Sequence, residues 1–335
     1  MKKTGRGILF LVLTLTFAGG LAFTGCYNFG VNDPGTSQNW TTVANTTFGS
    51  SRINAIAHGN GRFVAGGSNG RMAYSIDGRT WSPVINSTFG NDWINAIAFG
   101  NGLFVAAGGN SITQRNSRIA HSPDGRTWTA VGYTALDDEW ITAITYGNGR
   151  FVAGGFGDSL VYSDDGITWT RIDRNDLFSA TGSNRAIEGA LSFGNGRFVI
   201  GSALLQMAYS DDGMIWRSAQ RDHALGALGL RGILSISHGR GRFVAGGLNG
   251  VFAYSNDGIR WTLVPNNPFG ITSIGAIAFG SNLFVAGGDY GRVSTSTDGI
   301  NWTETTEVLT GAVRVIGFGN GRFVAVSGLN NMSYW

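Results

Sequence analysis

One unit of the chain reads Ile53-Asn-Ala-Ile-Ala-His-Gly-Asn-Gly-Arg-Phe-Val-Ala-Gly-Gly67 and continues with Arg71-Met-Ala-Tyr-Ser-Ile-Asp-Gly-Arg-Thr-Trp81. Variants of this unit fill the sequence from residue 39 to residue 335. The closing tryptophan recurs at spacings of 41 to 47 residues, at Trp40, Trp81, Trp128, Trp169, Trp216, Trp261 and Trp302. A period of this length is typical of a blade of a β-propeller.

Each unit is predicted to hold four short strands, which we name A to D in chain order. Strands A and B flank Asn60-Gly61 in the first unit, and Asn-Gly between two apolar runs is a strong signal for a two-residue hairpin. Strands C and D flank a second turn at Asp77-Gly78. The abundance of glycine, 54 of 335 residues with only 5 prolines, fits many short strands joined by tight turns.

The ends of the chain predict the number of blades. The last unit begins at Val313 and stops at Trp335 after strand C, whereas the first segment, residues 39–43, is a strand D with no A, B or C before it. We therefore predict an all-β fold, a seven-bladed β-propeller of four-stranded blades over residues 39–335. Its last blade is closed by the N-terminal strand 39–43, which removes the exposed edges that a linear array would leave. An open solenoid would leave both end units half made.

The first 38 residues are predicted to be an export and anchoring segment. Residues 1–25 have the basic start, short apolar run and small residues of a signal peptide. The only cysteine of the chain, Cys26, follows Phe23-Thr24-Gly25, and this sequence resembles a bacterial lipobox, with Phe23 where leucine is usual. The resemblance implies acylation of Cys26, a tether over residues 26–38, and an exported lipoprotein held on a lipid bilayer facing the periplasm or the cell surface. The alternatives are an uncleaved anchor and a leftover thiol.

Charge and residue types exclude several function classes. The 24 Lys+Arg exceed the 21 Asp+Glu only because Lys2, Lys3 and Arg6 precede Cys26, so the remainder has no net charge. Without a basic stripe we predict no nucleic-acid partner. No lysine remains for Schiff-base chemistry, and no His/Cys/Asp cluster has metal-ligand spacing, so we predict no metal and no cofactor.

The C–D turns share the sequence Ser-x-Asp-Gly-x-x-Trp, with the aspartates Asp77, Asp124, Asp165, Asp212, Asp257 and Asp298. This pattern resembles the Asp-box (BNR) repeat of sialidases, sortilin-type receptors and photosystem II assembly factors, although it is one residue shorter. The resemblance implies a structural role, in which the aspartate accepts backbone N–H bonds across the turn and the tryptophan packs between sheets. Six near-identical copies also argue against catalysis.

The arginines that begin strand B are interpreted as intrablade ion pairs with these aspartates or as solvated turn residues. They are Arg62, Arg150, Arg197, Arg242 and Arg322, and the other two blades carry Leu103 and Leu283. A–B and C–D turns lie at the same end of a propeller, which places opposite charges close together.

Candidate ligand-binding residues lie in the segments that vary between units. These are the B–C and D–A connections, which meet at the other end of a propeller, around its central channel. The candidates are Trp93, Arg115, Trp140, Asp158, Arg174, Arg185, Arg221, Asp289 and Tyr290. Aromatic side chains beside arginines and carboxylates suit a sugar, and they equally suit a protein partner.

Two functions follow from these residues. The first is a lipid-anchored binding or scaffold module for a glycan or protein partner. The alternative is an exo-acting glycoside hydrolase, because the resemblance includes sialidases. Such an enzyme needs an arginine trio, for which Arg174, Arg185 and Arg221 are the available set, together with a tyrosine nucleophile and an acid/base aspartate. The Arg-Ile-Pro motif of sialidases is absent, only four glutamates occur, and no residue is assigned a catalytic role.

Overall fold

A computed structural model gives the fold, and it describes residues 40–110, 115–136, 139–155, 160–172, 190–221, 232–328 and 331–335. The predicted signal peptide, Cys26 and the tether lie outside this part of the chain. Strands dominate, with 3₁₀ turns at Ser68–Gly70, Leu248–Gly250 and Asp289–Gly291. Within the described residues, no helix has both the length and the apolar character needed to cross a bilayer.

The strands recur in the predicted order. Strand A spans, from blade 1 to blade 7, Ile53–Gly59, Trp93–Gly100, Ile141–Gly147, Leu191–Gly194, Ile233–Gly239, Ile274–Gly280 and Val313–Gly319. Strand B spans Arg62–Gly67, Leu103–Asn110, Arg150–Gly155, Arg197–Gly201, Arg242–Gly247, Leu283–Gly288 and Arg322–Ser327. Strand C spans Met72–Ser75, Arg115–Ser122, Leu160–Ser163, Met207–Ser210, Phe252–Ser255, Arg292–Ser296 and Met332–Tyr334. Strand D spans Ser82–Pro83, Thr129–Ala130, Thr170–Arg171, Arg217–Ser218, Arg260–Leu263, Thr306–Glu307 and, for blade 7, Thr41–Thr42.

The chain forms a seven-bladed β-propeller, as the repeat predicts. Within each blade the four strands pair antiparallel in the order A-B-C-D. Blade 7 takes its outer strand from the other end of the chain, where Thr41 pairs with Tyr334 and Thr42 with Ser333. This closure confirms the predicted composite blade and pairs the outer edge of its strand C.

The antiparallel order gives the propeller two different ends. The A–B and C–D turns lie at one end, which we call the turn face. The B–C and D–A connections lie at the other end, the loop face. Both described chain ends lie at the turn face, because Trp40 directly precedes strand D of blade 7 and Trp335 directly follows its strand C. Their ring centroids are 6.0 Å apart.

The core is divided into seven apolar clusters, one at each junction between neighbouring blades. At the junction of blades 2 and 3, for example, Val105 and Ile119 pack against Phe151 and Trp169. Each cluster or its edge contains one of the seven repeated tryptophans. The apolar area that stabilises the fold is therefore buried between blades.

A ring of aromatic-on-glycine contacts fixes the spacing of the blades. The glycine that ends each strand A lies against the aromatic or histidine ring of the next blade, and the last contact, Gly319 against His58, closes the circle. A methyl group on Gly147 would lie 2.0 Å from Cγ of Phe193, so no larger residue fits. His238 takes the ring position in blade 5, where burial lowers the pKa of its imidazole.

One strand was not predicted. Gln220 and Arg221 form a fifth strand that pairs in parallel with the start of strand D of blade 5, opposite Arg260 and Trp261. The backbone of Arg221 therefore lies on the outer edge of the blade.

Candidate functional site

The turn face is held by one arrangement, repeated six times. In blade 6 the Asp298 carboxylate accepts the N–H groups of Ile300 and Asn301, each at 2.8 Å, and the Ser296 hydroxyl at 3.0 Å. The same bonds recur at the aspartates of the other five C–D turns. Burial alone would raise the pKa of such a carboxyl, but the N–H bonds outweigh it and lower the pKa of Asp165 and Asp298 to about 2.

The arginines that begin strand B connect neighbouring blades, which the sequence interpretation missed. Arg150 of blade 3 donates from Nη1 to the backbone carbonyl of Asp212 in blade 4, at 2.7 Å. Its guanidinium also lies 4.6 Å from the ring centroid of Tyr162 in its own blade. We call this pair of contacts the arginine latch. The same latch forms from Arg62, Arg197, Arg242 and Arg322.

The expected intrablade ion pairs are present in part. Arg150 pairs with Asp164 at 2.6 Å, and Arg197 pairs with Asp211 at 2.7 Å. In both cases the partner is the residue that precedes the repeated aspartate of the C–D turn. The carboxylates of the repeated C–D turn aspartates accept backbone N–H groups instead. The repeated charged side chains of the turn face therefore stabilise the fold.

The loop face is different, because there the repeated position carries different side chains. In six blades the pairing of strands A and B has a β-bulge at the second residue of strand A, or at the third in the longer strand of blade 2. A bulge leaves one residue unpaired and changes the direction of its side chain. The bulged residues are Asn54, Asn95, Thr142, Leu234, Gly275 and Arg314.

These residues line a funnel of about 600 Å³ at the mouth of the central channel. Asn54 donates a side-chain N–H to the backbone carbonyl of Ile94 at 3.2 Å, and Asn95 donates to that of Ile141 at 2.9 Å. Both acceptors lie near the start of strand A in the next blade. Arg314 is the one charged residue of the funnel wall among the described residues. The mouth of the channel is thus mostly neutral, with a single cation.

Two of the predicted candidates meet at the rim of this funnel. Trp93 begins strand A of blade 2, and Trp140 immediately precedes strand A of blade 3. Their ring centroids lie 6.2 Å apart in an edge-to-face arrangement, both side chains are partly exposed, and Trp140 lines the funnel. Such a pair offers a large apolar surface with a polar edge, as is common in binding sites.

Asp289 and Tyr290 occupy the B–C connection of blade 6. The Asp289 carboxylate accepts the N–H of Ser273 at 3.0 Å, so it holds the loop. Tyr290 is 66% exposed and has φ +60°, a left-handed conformation that the matching residues Asn69 and Asn249 adopt more readily. A bulky residue held in this conformation at the surface is a frequent mark of a functional position.

Three neighbouring concave regions of the loop face share lining residues, and together we call them the loop-face groove. A pocket of about 800 Å³ contains Tyr290 and Arg292. It shares Gly311 and Ala312 with a cleft of about 630 Å³ between blades 7 and 1. That cleft in turn shares Arg314 with the funnel. The groove thus runs from Tyr290 to the tryptophan pair.

The structure does not describe the side chains of the other predicted candidates, so it does not place them in this groove. Arg115 begins strand C of blade 2 opposite Asn110, and only its backbone and that of Arg221 are described. The remaining candidates, Asp158, Arg174 and Arg185, lie outside the described residues. In the part of the chain that the structure covers, no three His, Cys, Asp or Glu side chains gather as a metal site would require.

The bulged residues, Arg314 among them, are the functional candidates that sequence reasoning missed. A signal was present, since this strand A position varies from Asn to Arg between residues that are nearly constant. These residues line the channel mouth because of the β-bulge, and the sequence pattern does not predict this bulge.

Comparison with known proteins gives the fold. No protein-family model and no curated protein sequence matches the chain. Among solved structures, the chain is similar to YCF48 from Cyanidioschyzon merolae, with a TM-score of 0.66 and 17% identity over 88% of this chain and 98% of that one. A structure described as YCF48 bound to D1 peptide has a TM-score of 0.66 and 16% identity over 90% and 96%. The computationally designed protein Ika8 has a TM-score of 0.57 and 14% identity over 85% and 96%. At these identities the likeness shows a shared β-propeller fold.

Proposed function

We propose that this protein is a binding module that holds an extended polypeptide segment of a partner in its loop-face groove. The observation that carries the proposal is the row of neighbouring concave regions that leads from Tyr290 past Arg314 to Trp140. An extended chain suits a long, shallow depression, whereas a small ligand is usually enclosed.

The side chains of the groove favour a polypeptide over the other partner classes. The two tryptophans and Tyr290 are residue types that dominate protein-binding surfaces. Within the described residues the funnel wall has no carboxylate, so nothing there favours the hydrolase alternative. The structure described as YCF48 bound to D1 peptide supports a peptide partner for a propeller of this fold.

We also propose that Cys26 is acylated and holds the propeller on a membrane. The support for this proposal is the sequence, in which a signal-like segment with a basic start and a short apolar run precedes the lipobox-like Phe23-Thr24-Gly25-Cys26.

The binding proposal is tested with a phage-displayed random peptide library, selected on the full chain in detergent. Selected peptides are then measured by calorimetry against the wild type, Trp140→Ala and Arg126→Ala. Arg126 is exposed on the turn face and serves as the control. We expect Trp140→Ala to weaken binding about tenfold or more and Arg126→Ala to leave it unchanged.

Failure to select any peptide with folded protein would overturn the polypeptide proposal. A glycan array run with the same preparation then separates the alternatives, since selective glycan binding lost in Trp140→Ala would replace the peptide by a sugar.

The anchor is tested by labelling with radioactive palmitate in a bacterial host, comparing the wild type with Cys26→Ser. We expect label and membrane association in the wild type and neither in the variant. Equal membrane association of both chains would overturn the lipid anchor.

A further inference from the structure

The cleft between blades 7 and 1 owes its shape to a break in the repeat. In blades 1, 2, 3, 5 and 6 the sixth residue of strand B, counted from the Arg or Leu that begins it, is a glycine. A methyl group at this glycine would overlap a backbone carbonyl oxygen at the start of strand A. At Gly67, for example, a Cβ would lie 1.8 Å from the oxygen of Arg52. Blade 7 has Ser327 at this position, and the residue is only 2% exposed.

Ser327 keeps the backbone bonds of the other blades. Its N–H donates to Asn331 at 2.9 Å, and the next N–H, of Gly328, donates to Ala312 at 2.8 Å. Its hydroxyl, however, is buried and has no hydrogen-bond partner among the residues that the structure describes. A buried hydroxyl without a partner is costly, and a native one calls for an explanation such as a missing ligand.

Blade 4 provides the contrast, because it too has a serine here. The hydroxyl of Ser202 accepts the N–H groups of Leu204 and Gln206, at 3.2 Å and 3.3 Å. A serine at this position therefore can be satisfied by its own loop. Ser327 instead lines the cleft.

The same cleft is lined by two exposed arginines, Arg52 and Arg314. Among the described residues, neither guanidinium has a hydrogen-bond, ion-pair or ring partner, unlike the latch arginines of the turn face. The described wall of the cleft holds no carboxylate. Arg52, Arg314 and Ser327 thus line a single space of about 630 Å³.

We propose that this cleft is a carboxylate-binding subsite, in which Arg52, Arg314 and the Ser327 hydroxyl hold one carboxylate of the bound polypeptide. A guanidinium donates two parallel N–H bonds to a carboxylate, and a hydroxyl adds a third donor. The inference rests on the proposed function, since it names the group that anchors the peptide at the middle of the groove. The carboxylate is either the chain terminus of the partner or an Asp or Glu side chain.

The test uses small probes and ligand-observed NMR with the full chain in detergent. The probes are N-acetyl-triglycine, which has a terminal carboxylate, its C-terminal amide, which has none, and the α-amide of N-acetyl-glutamic acid, which has only a side-chain carboxylate. We expect one or both carboxylate probes to bind and the neutral amide not to bind. The probe that binds more tightly identifies the source of the carboxylate.

Variants locate the subsite. Arg314→Gln and Arg52→Gln are each expected to weaken the carboxylate probes about tenfold, while Arg126→Gln on the turn face is the matched control and changes nothing. Ser327→Ala should weaken binding without lowering the stability of the free protein, because its hydroxyl has no partner to lose. Ser202→Ala should do the reverse, since it removes two hydrogen bonds far from the cleft.

The inference is overturned if the neutral amide binds as well as the acids, if no probe binds, or if Arg314→Gln leaves binding unchanged. Library-selected peptides that bind equally well to Arg314→Gln, yet are weakened by Trp140→Ala, would overturn the carboxylate subsite and leave the proposed function standing.

Discussion

The two ends of this propeller use the same scaffold for opposite purposes. On the turn face, six aspartates make the same backbone bonds and five arginines make the same latch to the next blade. On the loop face, the bulged position of strand A carries a different residue in nearly every blade. Repetition therefore marks the residues that hold the ring together, and variation marks the residues that are free to bind.

The junctions without a latch support this interpretation of the turn face. Blade 6 has Leu283 where the latch arginine would be. The next blade has no C–D turn to reach, because its strands C and D come from distant parts of the chain. Leu283 packs instead in the cluster that includes Trp40 and Trp335. The tyrosine partner of the latch is absent as well, since its position is Thr295. The arginine and the tyrosine are thus present or absent together.

The largest effect is expected where blades touch most closely. Gly147→Ala would place a methyl group 2.0 Å from Cγ of Phe193, so the blades must separate. We expect the free energy of unfolding to fall by about 3 kcal/mol, measured by urea denaturation. Gly132→Ala is the control, because nothing lies within 4 Å of a methyl group there, and its stability should stay within about 0.5 kcal/mol of the wild type.

The next prediction concerns the repeated C–D turn aspartates and the pH dependence of the free energy of unfolding. The pKa of Asp298 is about 2 in the folded protein and higher in the unfolded chain, so its contribution to stability is complete above about pH 4 and is lost as the pH falls toward 2. We expect Asp298→Asn to cost about 2 kcal/mol at pH 7, and the difference from the wild type to shrink between pH 4 and pH 2.

The control for that measurement is Glu304→Gln, which removes an exposed carboxylate that has no hydrogen bond among the described residues. A difference between wild type and Asp298→Asn that stays constant from pH 7 to pH 2 would show that the charge of Asp298 does not stabilise its turn.

A smaller effect tests the latch by removing it and by transplanting it. Arg150→Ala should destabilise the protein by about 1 to 2 kcal/mol, through the lost carbonyl bond and the lost contact with Tyr162. The junction of blades 2 and 3 lacks the latch, with Leu103 and His121 at the two positions and a regular turn in blade 3. We expect Leu103→Arg and His121→Tyr together to be more stable than the sum of the two single changes predicts, by about 1 kcal/mol.

Additive single changes in that double-mutant cycle, measured by urea denaturation, would show that arginine and tyrosine do not act as a unit. The pairing seen along the chain would then have another cause.

The sequence predicts the architecture well, because the repeat states it seven times. The Trp period, the Asn-Gly hairpins and the two half units at the chain ends lead directly to the blade count and to the closure by Thr41–Thr42. The site is predicted less well. Trp93, Trp140 and Tyr290 were predicted because they belong to segments that vary between units, and they stay candidates. Arg314 was not considered, because it lies inside a strand and lines the funnel at a bulge.

The arginine latch was missed for a related reason. A repeat shows which residues belong to one blade, but it does not show which neighbour a long side chain reaches. Arg150 is 14 residues from Asp164 and 62 from Asp212, and both contacts form. Contacts across a junction depend on the closed ring, which local sequence patterns do not describe.

Amide hydrogen exchange of the full chain, with and without a library-selected peptide, tests whether the loop face binds a partner while the turn face holds the ring together. We expect added protection at the starts of strand A in blades 1, 2, 3 and 7, around Asn54, Asn95, Thr142 and Arg314, and no change at the C–D turns. Protection confined to the C–D turns, with the channel mouth unchanged, would contradict this expectation.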